Sequence, residues 1–522
     1  MSESWWQRGT VYQIYPRSFM DSGGDGVGDL NGITAKLPYL QDLGVDAVWI
    51  SPFYPSPMAD FGYDVTDHTA VDPLFGTLTD FYKLVAEAHR RDLRILVDFV
   101  PNHTSDRHPW FVDARSTKDS LRRDWYLWAD PRPGGGPPNN WRSVFGGPAW
   151  TLDEPTGQYY YHAYLPEQPD VNWRNPEVQQ AQSDVMRFWL DRGVDGFRVD
   201  ACRQLIKDDQ LRDNPPNPAY HPGLPPYDAL LPVYSADRPE TPGVLAELRR
   251  VLDEHHPDGL LIAEVYAPVE RLMRYYLGAH LPSNMHLISV PYEADSIAAL
   301  IARYEAALPP DAWPNWVLGN HDRSRIATRV GPAQARVAAM LLLTLRGTPI
   351  LYYGDEIGLP DVPVPPDLVQ DPFERRVPGI GVGRDPARAP MRWSPAPNAG
   401  FCPPHATPWL PVPDGAEWPN VHAQQDDPGS VLALYRDLIA LRRCEPALST
   451  GDFTLLGAEA GVLSYLRRNH DRTIMVGLNL TAAPRDLPAT GTIMLGTRPG
   501  RVGERLTGMV RLRANEGVLV IP

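Results

Sequence analysis

The chain has 522 residues, more than one ordinary core holds, so either several domains or a large α/β barrel with attachments accounts for it. Its 49 Lys and Arg against 64 Asp and Glu leave a formal net charge of -15. No Lys/Arg-rich run offers a footprint for phosphate or anionic lipid, which argues against nucleic-acid and membrane-surface partners. Three scattered cysteines without metal-site spacing, an amino terminus with no basic-then-apolar leader, and no bilayer-length apolar run set the expectation of a cytoplasmic protein.

In chain order, short apolar runs recur, several followed by helical periodicity: VYQIYP, DAVWISP, RILVDFVP, DGFRVDA, LLIAEVY, HLISVP, NWVLGNHD and TPILYYGDE. LTDFYKLVAEAHRRDL and EVQQAQSDVMRFWLDRG read as crossover helices, the second with a glycine stop. Eight such runs predict an α/β fold, a (β/α)8 TIM barrel. After VDFVPNHTS about seventy residues rich in Trp, Tyr, Gly and Pro precede the next helix, where connections usually run to about 4–6 residues. This predicts a small inserted subdomain over the barrel mouth at 104–170, between barrel parts 1–103 and 171–450. Beyond VLALYRDLIALRR, the short runs GDFTLLG, GVLSYLRR, RTIMVGLNL and GMVRLRA predict a C-terminal antiparallel β domain over 451–522. The proline clusters DNPPNPAYHPGLPP and LPDVPVPPD read as stiff, ordered loops that shape a binding site.

The stretch GVDGFRVDA, Gly193–Ala201, puts Phe197 and Val199 on one strand face and Arg198 and Asp200 on the other. In such barrels catalytic groups sit where strands end and the next loops begin. Those ends carry Asp64, Asn102, His103, Arg198, Asp200, Glu264, His321, Asp322, Asp355 and Glu356. A structural ion pair explains one strand, not several that end alike. Paired carboxylates are what glycosidic cleavage requires, one at the anomeric carbon and one protonating the departing oxygen. Asp200, beside cationic Arg198, is expected to stay ionised as the nucleophile; Glu264, after an apolar strand and flanked by Val265 and Tyr266, is the natural acid. Asp98 precedes its strand end and reads as structural, and Cys202, without a nucleophile signature around it, as an inert buried thiol.

Five ordered motifs, FGYDVTDH, DFVPNHTS, GFRVDA, AEVY and GNHD, resemble the successive sequence regions of the α-amylase family of glycoside hydrolases, in its α-glucosidase and oligo-1,6-glucosidase branch. The likeness runs from VYQIYPRSF to the terminal β domain. It implies Asp200 as nucleophile, Glu264 as general acid/base and Asp322 as the third carboxylate, which fixes sugar hydroxyls. It also implies substrate-binding roles for Asp60, Tyr63, Asp64, His103, Arg198 and His321, joined by Phe145, Gln168 and Arg388. The implied activity is exo-acting hydrolysis of terminal α-linked glucose from a small oligosaccharide with retention, without a catalytic cofactor. A transglycosylating or isomerising relative, and a non-catalytic companion of a membrane transporter, are the alternatives. The family's structural Ca2+ or Mg2+ site maps to Asp21, Asp25, the Val27 carbonyl and Asp29 in DSGGDGVGD, with Gly23 where many relatives have Asn; a metal-free acidic turn is the other reading. Ala201, after the nucleophile, tilts the expected linkage towards α-1,4, since valine there accompanies α-1,6 preference in the resembling enzymes.

Overall fold

The computed structural model describes residues 4–415 and 417–522. Eight barrel strands follow in order: Val11–Ile14, Ala47–Ile50, Arg94–Phe99, Gly196–Val199, Leu260–Ala263, Leu281–Pro282, Asn315–Val317 and Thr348–Tyr352. Parallel pairing runs from the first strand through to the sixth, and from the first back through the eighth to the seventh. The sixth and seventh are stitched by a side chain instead. Asn315 Nδ2 donates to the Pro282 carbonyl at 2.5 Å, and its Oδ1 accepts the Asn284 amide at 2.9 Å, so one amide stands in for a ladder and nearly closes the TIM barrel.

The expected sixth strand was misplaced. HLISVP forms a helical turn, His286–Ser289, while the strand is the two-residue Leu281–Pro282 just before it. Pairing decides this: the His280 amide bonds Leu261 and the Ser283 amide bonds Ala263, so the chain is alongside the fifth strand before HLISVP begins. Short apolar runs do not by themselves distinguish strand from helix.

Alternation along the strands separates two layers. Tyr12, Ile14, Ile95, Val97, Phe197, Val199 and Leu261 pack outward against the helices, while Val11, Trp49, Leu96, Ile262, Val317 and Ile350 fill the barrel interior. Gly196 is required where the fourth strand meets the fifth, because a Cβ there would lie 2.1 Å from the Leu260 carbonyl oxygen. Helix Leu78–His89 opens with a Thr77/Asp80 capping box, and helix Pro176–Leu190 with the Asn175 cap on the Glu177 amide. Between the third and fourth strands lies a three-stranded antiparallel sheet of Trp128–Ala129, Trp150–Asp153 and Gln158–Tyr161, over a small aromatic core of Trp141, Trp150 and Tyr161. The ends of this excursion pair at His103 and Asp170.

The last part of the chain, from Asp452, forms a six-stranded and a two-stranded antiparallel sheet. Buried Arg467 docks it, donating to the carbonyls of Thr344, Leu448 and Gly451, and beside it buried Arg442 ties Leu448 to the carbonyls of Leu343, Leu345 and Gly347. Their donors satisfy carbonyls left free where helices and strands end. Among the described residues no helix is long and apolar enough to cross a membrane.

Candidate active site

The third and fourth strands pair in register Asp98 to Arg198, which puts both side chains side by side at the top of the barrel interior. Arg198 Nη1 donates to Asp98 Oδ1 at 2.8 Å and to Asp200 Oδ1 at 2.7 Å, while Nη2 lies 2.7 Å from Glu264 Oε1. Its guanidinium sits 5.0 Å from the centre of the Trp49 ring. One cation therefore serves three carboxyl groups. Burial pushes Asp98 up to about 6 against the pull of Arg198. Burial also raises Asp200, with Arg198 opposing and Glu264, Asp98 and Asp322 repelling. The expectation that Arg198 simply keeps Asp200 ionised is thus corrected: its charge is divided among three carboxyl groups, and burial holds Asp200 above the usual carboxylate range.

Asp200, Glu264 and Asp322 open onto one cavity of about 1260 Å³. Asp322 differs from Asp200 in its neighbours: burial would raise it, but His321, at the low pH where its ring is protonated, and Arg384, Arg388 and Arg198 throughout hold it below the ordinary range. Glu264 Oε2 accepts the Ala201 amide at 3.0 Å, and Ala201 adopts a left-handed backbone with φ 49°. Glu264 is therefore aimed by the residue that follows Asp200.

The walls are a network of fixed polar contacts. Asp60 meets Arg384 at 2.7 Å and Gln168 Nε2 at 3.2 Å, and Gln168 Nε2 also approaches His103 Nε2 at 3.1 Å. His321 bonds Gln13 Nε2 through Nδ1 and the Tyr63 hydroxyl through Nε2, both at 2.8 Å. Burial first of all lowers His103 to about 4 and His321 to about 3, so both rings are neutral near pH 7. Phe145 stacks on Phe373 with ring centres 5.0 Å apart.

Nine of the residues expected from sequence line this cavity; Asp64, Arg198 and Arg388 do not. Asp64 turns back into its own loop, accepting the amides of Ala59 and Asp60 and the Ser56 hydroxyl, so its expected contact with substrate is corrected to loop closure. Arg198 and Arg388 act from beneath, Arg388 donating to the His321 carbonyl at 2.8 Å and Asp322 at 3.1 Å. Asp355 and Glu356 are also corrected: the chain turns at Gly354, φ 88°, and Glu356 accepts the hydroxyls of Tyr12 and Tyr39 in the helix layer. Asn102 is likewise occupied, by Lys207 and Asp170.

Arg384 was missed. It lines the cavity and spans Asp60, Asp371 at 2.6 Å and Asp322 at 3.4 Å. The signal is GRDPARAPMRW, whose three arginines, Arg384, Arg388 and Arg392, recur at four-residue spacing, and of these the sequence pointed only to Arg388.

The loop Asp21–Asp29 closes on its own amides. Asp21 accepts from Gly24 and Gly26, Asp25 from Val27, and Asp29 from Ser22, Gly23 and Gly32. Among the described residues no group of three or more His, Cys, Asp or Glu is disposed to hold a metal ion. The arrangement fits the metal-free acidic turn better than a cation shared by Asp21, Asp25 and Asp29.

Residues 13–451 match the family described as alpha amylase, catalytic domain. The chain is 42% identical to a probable alpha-glucosidase of Rhizobium meliloti over 93% of this chain and 91% of that one. It is 37% identical to a glucan 1,6-alpha-glucosidase of Streptococcus pneumoniae over 94% of each. The crystal structure of an alpha-glucosyl transfer enzyme, XgtA, superposes with a TM-score of 0.94 at 41% identity, covering 100% of both chains. With Asp200, Glu264 and Asp322 converging at the top of an eight-stranded barrel, the chain belongs to the alpha-amylase family of glycoside hydrolases.

Proposed function

We propose that the protein is a retaining, exo-acting α-glucosidase that removes terminal non-reducing glucose from short oligosaccharides. The observation that carries this is the Arg198 fork, which holds Asp200 and Glu264 at 2.7 Å from its two terminal nitrogens. Retaining pairs lie about 5–5.5 Å apart and inverting pairs about 6.5–9.5 Å, and two carboxyl groups on one guanidinium favour the closer spacing.

In the first step Asp200 attacks the anomeric carbon as Glu264 protonates the glycosidic oxygen, which releases the aglycone and leaves a glucosyl ester on Asp200. Glu264, now a carboxylate, takes a proton from water, which attacks the same carbon from the face the aglycone left; the ester breaks and Asp200 is regenerated. Asp322, held ionised by its cations, accepts from ring hydroxyls as positive charge develops on the sugar. Asp60, tied to Arg384 and Gln168, lines the cavity and in this reading meets the non-reducing end of the terminal glucose, as exo action needs.

A second reading is glucosyl transfer, in which a sugar hydroxyl replaces water at the ester; the likeness to the transfer enzyme favours it. The division into 1–103, 104–170, 171–450 and 451–522, and a cytoplasmic site of action in keeping with free Cys202, Cys402 and Cys444, belong to the same proposal. A Ca2+ or Mg2+ at Asp21, Asp25, Val27 and Asp29 is a separate one, resting on the acidic alternation and opposed by the amides already on those carboxylates. A product profile on maltose, isomaltose, trehalose and sucrose tests the main reading. Free glucose from at least one supports hydrolysis, new saccharides favour transfer, and no turnover of any overturns both.

A further inference from the structure

The outer part of the cavity holds three charged side chains that the chemistry above does not use. Arg203 follows the nucleophile by three residues, Arg323 directly follows Asp322, and Asp228 lies on the one-turn helix Pro226–Ala229 within the proline-rich loop. All three line the cavity. Arg203 and Arg323 grip Tyr266, two residues beyond Glu264, from different sides. Arg203 Nη1 donates to its carbonyl, and the Arg323 guanidinium lies 5.2 Å from its ring centre. Asn320 fixes the Tyr266 hydroxyl at 3.0 Å. The grip places both cations on Tyr266, two residues from Glu264, and so close to the oxygen that Glu264 protonates in the reading above.

Among the described residues none of the three makes an ion pair, and no hydrogen bond engages the Asp228 carboxylate. Both arginines nevertheless act on Asp228 through space, opposing the rise that burial causes in it. Arg203 Nε is buried without a partner. Buried charged groups ordinarily find partners; here the Asp228 carboxylate and the Arg323 guanidinium line the cavity without an ion pair among the described residues, while the unpartnered Nε of Arg203 lies buried. Nearby Arg329 has no such capacity, being tied to the carbonyls of Ser324, Ile288 and Leu318. The net charge facing this space is not positive, since Glu264 and Asp322 lie behind the two arginines, so it suits a neutral group rich in hydroxyls and not an anion.

The loop that brings in Asp228 is fixed at its base. Asn140 and Asn214 exchange hydrogen bonds at 2.8 Å, and Trp141 Nε1 donates to the Arg212 carbonyl at 2.8 Å, so the inserted segment clamps it. We propose that Arg203, Arg323 and Asp228 form the subsite that reads the hydroxyls of the sugar bonded to the departing oxygen, and so set which disaccharide is cleaved. This rests on the glucosidase reading.

The test compares kcat/KM for the disaccharide that the wild-type protein cleaves fastest with that for p-nitrophenyl α-glucoside, whose aglycone has no hydroxyls to read. Asp228→Asn is isosteric and Arg323→Gln alters an exposed residue, so folding is checked simply by the melting temperature. The disaccharide-to-aryl ratio is expected to fall about tenfold or more in both variants, through KM, with Arg323→Lys partly restoring it. A ratio within about twofold of wild type in both, or a wild type that prefers maltobionate to maltose, overturns the subsite. Failure of the wild type to release glucose from any of these substrates would instead overturn the glucosidase reading.

Discussion

On the floor of the cavity charged side chains have fixed partners: Arg198 holds Asp98, Asp200 and Glu264, and Arg384 holds Asp60 and Asp371. At its mouth Arg203, Asp228 and Arg323 line the same space without an ion pair among the described residues. The floor comes from strand ends, whose register the barrel dictates; the mouth comes from loops and a clamped proline-rich segment. A floor built this way is organised before substrate arrives, as stabilisation of developing charge requires. A mouth with free hydrogen-bonding capacity leaves selection to the substrate, and can change without disturbing the chemistry.

Breaking the floor gives the largest effects. Asp200→Asn is expected to fold and to lose about four powers of ten or more in kcat, measured with the aryl glucoside; wild-type-like turnover removes Asp200 from its role. Arg384→Ala removes the cation that Asp60 and Asp371 bond and leaves only Arg388 acting on them through space, a loss of up to about 3–5 kcal/mol, visible in melting temperature as well as in kcat/KM. Lysine at the same position keeps the charge but not the fork, so it restores stability more than activity.

The shared cation also predicts the pH profile. Asp200 is raised, chiefly by burial, and must be ionised to attack, so kcat/KM falls as pH drops through that raised pKa. The acid limb is expected above the ordinary carboxylate range, and a limb at or below about 4 contradicts the division of the Arg198 charge.

Changes nearer the mouth are smaller. Ala201→Val is expected to shift the maltose-to-isomaltose ratio of kcat/KM towards isomaltose by about 1–3 kcal/mol at most. The backbone adds a complication that sequence could not show: at φ 49° a β-branched residue is strained, by about 1–2 kcal/mol, and Glu264 is aimed by this very amide. Loss of total activity without a change of ratio would assign Ala201 to backbone geometry instead of linkage choice. Smallest of all, chelation is expected to leave the melting temperature unmoved if the loop Asp21–Asp29 is a turn, whereas a drop restored by calcium revives the cation.

The floor was legible where alternation and position speak together. Arg198 and Asp200 share a strand face, and Glu264 and Asp322 end their runs. The same rule failed at the eighth strand, where Gly354 swings Asp355 and Glu356 to the helix side, and at the sixth, where two residues suffice for pairing and leave no periodicity. Asp64 illustrates a third limit: a motif fixes the residue's presence, not whether its carboxylate faces substrate or its own loop. Arg384 and Asp228 lie at one-turn helices inside long loops that carry no periodicity, and clamping at Asp371 and at Asn140 helps to fix what reaches the cavity.

The most direct test of the central claim, that one guanidinium holds a retaining nucleophile and acid pair, is the anomeric form of the first glucose released, followed by NMR before mutarotation. Two displacements at the same carbon predict α-glucose first; β-glucose first would mean a single displacement by water and would contradict the pairing of Asp200 with Glu264.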